Sequence, residues 1–130
     1  MKVWAFVLWV VLAMTSAPAL AEWSLLGASD DGDKWFINFD TLRKGKTPKA
    51  WTLVNLGAAA ANEIGIKSRK ALLEANCVEE QIRLLAYVGY SQPFGEGSVN
   101  FSNSEPGKWV YVVPESMNEI TLKALCGKRQ

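Results

Sequence analysis

The 130 residues contain no histidine and only two cysteines. Without an imidazole there is no Ser-His or Cys-His nucleophile, no histidine metal ligand and no proton shuttle tuned to neutral pH. An excess of charge of one sign is also missing, since 14 basic residues face 13 acidic ones. Such a chain has no global field to draw it onto nucleic acid, where affinity comes from neutralising phosphates. No internal repeat and no Pro- or Gly-rich linker interrupts it, so one domain is expected. Nothing after residue 21 is long and apolar enough to cross a bilayer, which takes ~20 residues. What remains, 49% apolar and 21% charged, is the composition of a globular chain.

The one long apolar run lies at the start. Lys2 precedes an unbroken apolar stretch from Val3 to Met14, followed by Thr15, Ser16, Pro18 and Ala19-Leu20-Ala21. A basic start, a short apolar centre and a small-x-small ending are the three parts of a secretory signal. Residues 1–21 are therefore expected to be a signal cleaved after Ala21, with a single domain over 22–130. Cleavage removes only Lys2 from the charge count and leaves 13 basic and 13 acidic residues, formally neutral. No cysteine flanks the cleavage site, so no lipid anchor is expected there, and a soluble periplasmic or secreted form is.

Export sharpens the reading of Cys77 and Cys126. In an oxidising compartment two cysteines allow one pairing, and a bridge closing about 50 residues contributes roughly 4 kcal/mol on the loop-entropy account. The alternative, a redox pair, usually takes the form Cys-x-x-Cys.

Several segments read as strands. Residues 22–29 are short and mixed, and Asp31-Gly32 signals a hairpin turn. Strands follow over 34–39, where Trp35, Ile37 and Phe39 alternate with Phe36 and Asn38, and over 50–56. Over 57–67 two readings compete: Ala58 to Ala61 suit the start of a helical turn, but the flanking Gly57 and Gly65 favour a loop. Residues 68–77 divide evenly: their composition favours helix, whereas the alternation of Ala71, Leu73, Ala75 and Cys77 favours strand. Residues 80–91 are apolar on both parities, as in a central strand covered on each side. A long connection over 92–107 and a strand over 108–113 complete the sheet. Ser116 with Glu119 forms a capping box. Met117, Ile120, Ala124 and Leu125 follow at helical spacing, and Gly127 stands where a C-terminal cap belongs. The whole predicts an α+β domain, an antiparallel sheet with its C-terminal helix tethered to one face by the Cys77–Cys126 bridge.

Motifs for chemistry are weak. Asp30, Asp31 and Asp33 lack the spacing of a calcium loop and read as a solvated turn. No serine after residue 21 has lysine three positions on, which excludes a Ser-x-x-Lys nucleophile. Gly95-Glu96-Gly97 lacks the pattern of a phosphate loop, and Asn100-Phe101-Ser102 is a glycosylation triplet of a kind common by chance. A hydrolase built on Asp and Glu alone would need a carboxylate pair meeting in space. No enzyme activity and no cofactor are expected. Arg43, Lys44, Lys46 and Lys49 place four positive charges in seven residues. That loop is either a solvated turn or an anion-attracting patch for acidic polysaccharide, acidic protein or lipid headgroups.

The order of features resembles the surface-adhesin protein E family of small exported bacterial proteins. The residues that carry the resemblance are Trp23; Trp35-Phe36-Ile37-Asn38; Leu42-Arg43-Lys44-Gly45; Trp51; Cys77; Arg83-Leu84-Leu85 with Tyr90; Gly95 and Gly97; and Trp109-Val110-Tyr111-Val112-Val113-Pro114-Glu115-Ser116 leading to Leu122 and Cys126. The resemblance implies an antiparallel sheet of about six strands with the helix tied to its concave face, and it makes 68–77 a strand. It also implies binding of host matrix proteins and a capacity to dimerise. Two departures stand out: the family's lipid-anchored namesake contrasts with the missing cysteine here, and Asn38 occupies a position where an acidic residue is expected. The reading that results is an exported, non-catalytic, adhesin-like module with a protein or polysaccharide partner. The alternative is a soluble periplasmic protein that binds a small ligand or an envelope partner.

Overall fold

A computed structural model describes residues 22–127; the expected signal and its cleavage site lie outside the described residues. Seven strands form one antiparallel sheet: β1 (Ser24–Ala28), β2 (Lys34–Ile37), β3 (Lys49–Asn55), β4 (Ser68–Asn76), β5 (Gln81–Gln92), β6 (Glu96–Asn103) and β7 (Val110–Tyr111). The first six lie side by side in chain order, and β7 pairs with the start of β5. Two helices complete the fold, α1 (Ala58–Ile64) and α2 (Met117–Cys126).

Strand period places Ile37, Ala50, Ala75 and Ile82 on one face, where they bury against Leu122 and Leu125 of α2. The helix begins as its sequence predicts. Ser116 Oγ accepts from the Glu119 backbone N–H at 3.3 Å, and Glu119 Oε1 accepts from the Glu115 N–H at 3.0 Å. Its end is capped by Gly127 in the left-handed conformation. The stripe that faces the sheet differs from the one expected: Thr121, Leu122 and Leu125 are buried, while Ile120 is 38% exposed. Cys126 sets this rotation. Its bond to Cys77, just past β4, spans 5.9 Å between Cα atoms and turns the 122–125–126 stripe toward the strands.

The opposite face is covered too. A 3-10 turn, Pro93–Gly95, folds back over β3 and β4, where the fully buried Ser68 donates to the Gln92 carbonyl and accepts from the Gly95 N–H. Asn55 Oδ1 accepts from the Phe94 N–H at 2.8 Å, and the Phe94 ring packs on Phe36 at 5.4 Å. Lys70 lies over the rings of Trp23 and Tyr90. β5 is central, between β4 and β6, but most of its side chains are half-buried, so the cover expected on both of its faces is only partial.

Four segments depart from expectation. The strand expected over 34–39 ends at Ile37, because Asn38 caps a 3-10 turn over Phe39–Thr41. Residues 57–67 hold a helix, because Gly57 and Gly65 are its N-cap and its left-handed C-cap rather than breakers. Within the connection over 92–107 lies β6, whose Val99 and Phe101 alternate with polar residues and pair with β5. The strand over 108–113 shrinks to two residues, Val110–Tyr111.

Two outcomes test these forces. Cys126→Ser is expected to lower stability by about 2–5 kcal/mol; a melting temperature equal under reducing and oxidising conditions would refute it. Gly57→Ala is expected to cost about 1–3 kcal/mol, because its Cβ would overlap the Asp31 carbonyl. Chemical denaturation checks this, and an unchanged midpoint would contradict it.

Candidate functional surface

The basic residues of 43–49 meet in a hairpin at one end of the sheet. Arg43 and Lys49 exchange two backbone hydrogen bonds, of 2.8 and 3.1 Å, which pin its base. The approach to it is locked from the side of β2. Buried Asn38 accepts from the Asp40 N–H through Oδ1 at 3.0 Å, and its carbonyl accepts from the Thr41 hydroxyl at 2.7 Å. Thr41 Oγ1 in turn accepts from the Trp51 N–H. Asn38 thereby acts as the cap of a 3-10 turn, Phe39–Thr41. A short side chain with an acceptor oxygen is what such a turn needs.

Arg43, Lys44 and Lys46 are exposed, while Lys49 is half-buried. The hairpin straddles the sheet. On one side Arg43 and Lys49 border a hollow with Asp40, Trp51 and Leu72. On the other, Lys44, Gly45 and Pro48 border a shallow cavity with Cys77, Cys126 and Gly127. The positive loop therefore abuts the C-terminal end of α2, where the helix dipole is negative.

Next to Lys49 lies a polar chain that sequence reasoning did not single out. Lys49 stands opposite Glu74 across β3 and β4, and Glu74 opposite Arg83 across β4 and β5. Arg83 Nε contacts Glu74 Oε1 at 2.7 Å, and its guanidinium lies 4.7 Å from the centre of the Trp109 ring. Burial by itself would raise the Glu74 pKa, but the hydrogen bonds from Arg83 and Thr47, together with the charges of Arg83 and Lys49, hold it below its ordinary value. Cross-strand register was the missing signal, because residues nine apart in sequence become neighbours only once the hairpin is known.

The remaining candidates are structural or scattered. Asp33 Oδ1 accepts from the Gly57 N–H at 2.6 Å, while Asp30 and Asp31 are exposed. Gly95 and Gly97 serve the β5–β6 turn with positive φ. Asn100 is exposed on β6 and donates to the Gly65 carbonyl. Among the described residues no three His, Cys, Asp or Glu side chains gather as a metal site, and no helix is long and apolar enough to cross a membrane.

A meandering sheet with a helix bolted across one face and a pinned basic hairpin at one end makes a small α+β scaffold. The chain belongs to the surface-adhesin protein E family, whose profile matches residues 23–127. Its fold is similar to that of Haemophilus influenzae protein E. One structure of that protein has a TM-score of 0.62 at 12% identity, covering 87% of this chain and 88% of that one. Its selenomethionine form gives 0.61 at 11% identity over 87% and 90%. Protein E from a non-typeable strain gives 0.57 at 13% identity over 87% and 79%. At these identities the likeness is one of fold. No curated protein matches the chain in sequence.

The Glu74 ion pair predicts a pH signature. A carboxyl held low when folded contributes fully above its unfolded pKa, and the contribution is lost as pH falls through the folded value. Glu74→Gln is expected to cost about 1–2 kcal/mol at neutral pH. The gap between variant and wild-type melting temperatures should then close in the acid range. A gap independent of pH from neutral to strongly acid conditions would contradict this.

Proposed function

We propose that this chain is an exported, non-catalytic binding module of adhesin type, contacting matrix or envelope macromolecules through the basic hairpin. Membership of the surface-adhesin protein E family over 23–127 carries the reading. The hairpin supports it physically. Three exposed cations on a loop with a hydrogen-bonded base lose little freedom on meeting an anionic polymer. Exposed charges of this kind act at distances set by salt, so binding weakens as ionic strength rises.

Residues 1–21 serve in this proposal as a cleaved export signal, and the mature protein is periplasmic or secreted. Pairing of two copies belongs to the same proposal. β6 ends the row of strands and leaves one side of its backbone open, with Val99 57% exposed. Such edges are templates for another strand.

Location and contact are tested separately. Protease treatment of intact cells carrying a C-terminally tagged copy is expected to remove the tag; a tag that survives and leaves with the periplasmic fluid would end the host-contact reading. Replacing Arg43, Lys44, Lys46 and Lys49 together by Ser is expected to weaken heparin and matrix-protein binding at least tenfold at low salt. Unchanged binding would reduce the loop to a solvated turn.

A further inference from the structure

A cavity of about 660 Å3 opens on the face of the sheet that carries α2, bounded on one side by Asn118 and Thr121 of that helix. Its walls are the apolar side chains of Trp35, Val54, Ala71, Leu73, Tyr87 and Phe101. Register brings them together across five strands. Trp35 lies opposite Val54, Val54 opposite Arg69, Arg69 opposite Gly89 and Gly89 opposite Phe101. Gly89 is what lets the aromatic wall lean inward, because a Cβ there would come within 2.5 Å of the Phe101 ring. Tyr87 meets that ring edge to face, with centroids 5.8 Å apart.

The lining contains one charged group, half-buried Arg69. It contains no acidic residue, and no carboxylate among the described residues lies within ion-pair distance of Arg69. The two threonine hydroxyls at the wall are already committed. Thr52 donates to the Ala71 carbonyl and Thr121 to the Met117 carbonyl, both at 2.9 Å. An arginine set among aromatic and aliphatic walls, with the neighbouring hydroxyls turned to backbone, is completed by a single anion attached to an apolar body.

We propose that this cavity binds a single-chain amphiphile with one carboxylate headgroup, a free fatty acid. The headgroup sits on the Arg69 guanidinium, and the chain runs from it over Ala71 and Leu73, between Trp35 on one side and Tyr87 and Phe101 on the other. One cation matches one anion. The other polar side chains of the lining, Asn118, Tyr87 and Trp35, are too few and too scattered to pair the successive N–H and C=O groups that a bound peptide would bring. The volume is in the range of small-ligand sites. The site is separate from the basic hairpin and does not depend on macromolecular binding.

The test is calorimetric titration of the purified, delipidated chain with dodecanoate below its micelle concentration. Saturable one-to-one binding is expected, with methyl dodecanoate and dodecyltrimethylammonium at least tenfold weaker. Arg69→Gln should weaken dodecanoate binding about tenfold, the size of a lost charged hydrogen bond, and Ala71→Trp should abolish it by filling the cavity. The headgroup series on the wild-type chain keeps the test decisive if either variant fails to fold. No saturable binding, or binding indifferent to headgroup charge and to Arg69→Gln, overturns the proposal. A short apolar peptide with a free carboxylate that outcompetes dodecanoate, or dimerisation lost in Ala71→Trp, would give this face to a protein partner or a second copy and overturn it as well.

Discussion

The bond between Cys77 and Cys126 is the constraint on which the rest depends. A ten-residue helix is marginal in water by itself and holds only by packing. The bridge fixes where α2 lies and which stripe it turns inward, and so decides that Leu122 and Leu125 close the core while Ile120 faces out. It also gives the basic hairpin a firm neighbour, since Lys44, Gly45 and Pro48 rest beside the bonded cysteines. Core, helix and candidate contact surface thus share one anchor at one end of the sheet.

The two faces of the sheet are covered by different means. α2 closes part of one face with aliphatic packing and leaves the neighbouring stretch open as a cavity. The other is closed by a turn held through Ser68 and Asn55, by the tilted ring pair of Phe36 and Phe94, and by the Lys49–Glu74–Arg83–Trp109 row. Glu74, at the centre of the row, is 13% exposed, so its pair with Arg83 is screened less than a surface pair. The value of the row lies in alternating sign across three strands, which fixes their register.

Much of this was legible in the residues. The capping box at Ser116, the glycine after α2, the Asp31-Gly32 turn and the pairing of the only two cysteines each have a local cause, and each stands in the structure. Segment 68–77 was undecided because propensity and period disagreed; pairing with strands on both sides made it β4. The glycines around 58–64 misled because the same residue type breaks a helix inside it and caps it at its ends. β6 went unread because Pro93 and the glycines obscured the short alternation of Val99 and Phe101. Arg69 and Glu74 carried no signal at all, for each acquires its surroundings from strands distant in sequence. The basic loop was visible as a run of charge, but its position beside the disulfide was not.

The sheet is a meander in which each of the first six strands lies beside the one made just before it. Three of those five pairings are closed by three to five residues, and β2–β3 and β3–β4 by eleven and twelve, so all are local in sequence and the entropy lost in bringing partners together stays small. The Pro93–Gly95 turn, β7 and α2 return to earlier parts of the chain. The local pairing of the strands favours formation of the sheet ahead of the docking of α2, whose contact with β4 closes a loop of 49 residues. With two cysteines in the chain there is one pairing to make; α2 carries Cys126 to Cys77 as it docks, and the bond then locks the helix in the position that the core requires.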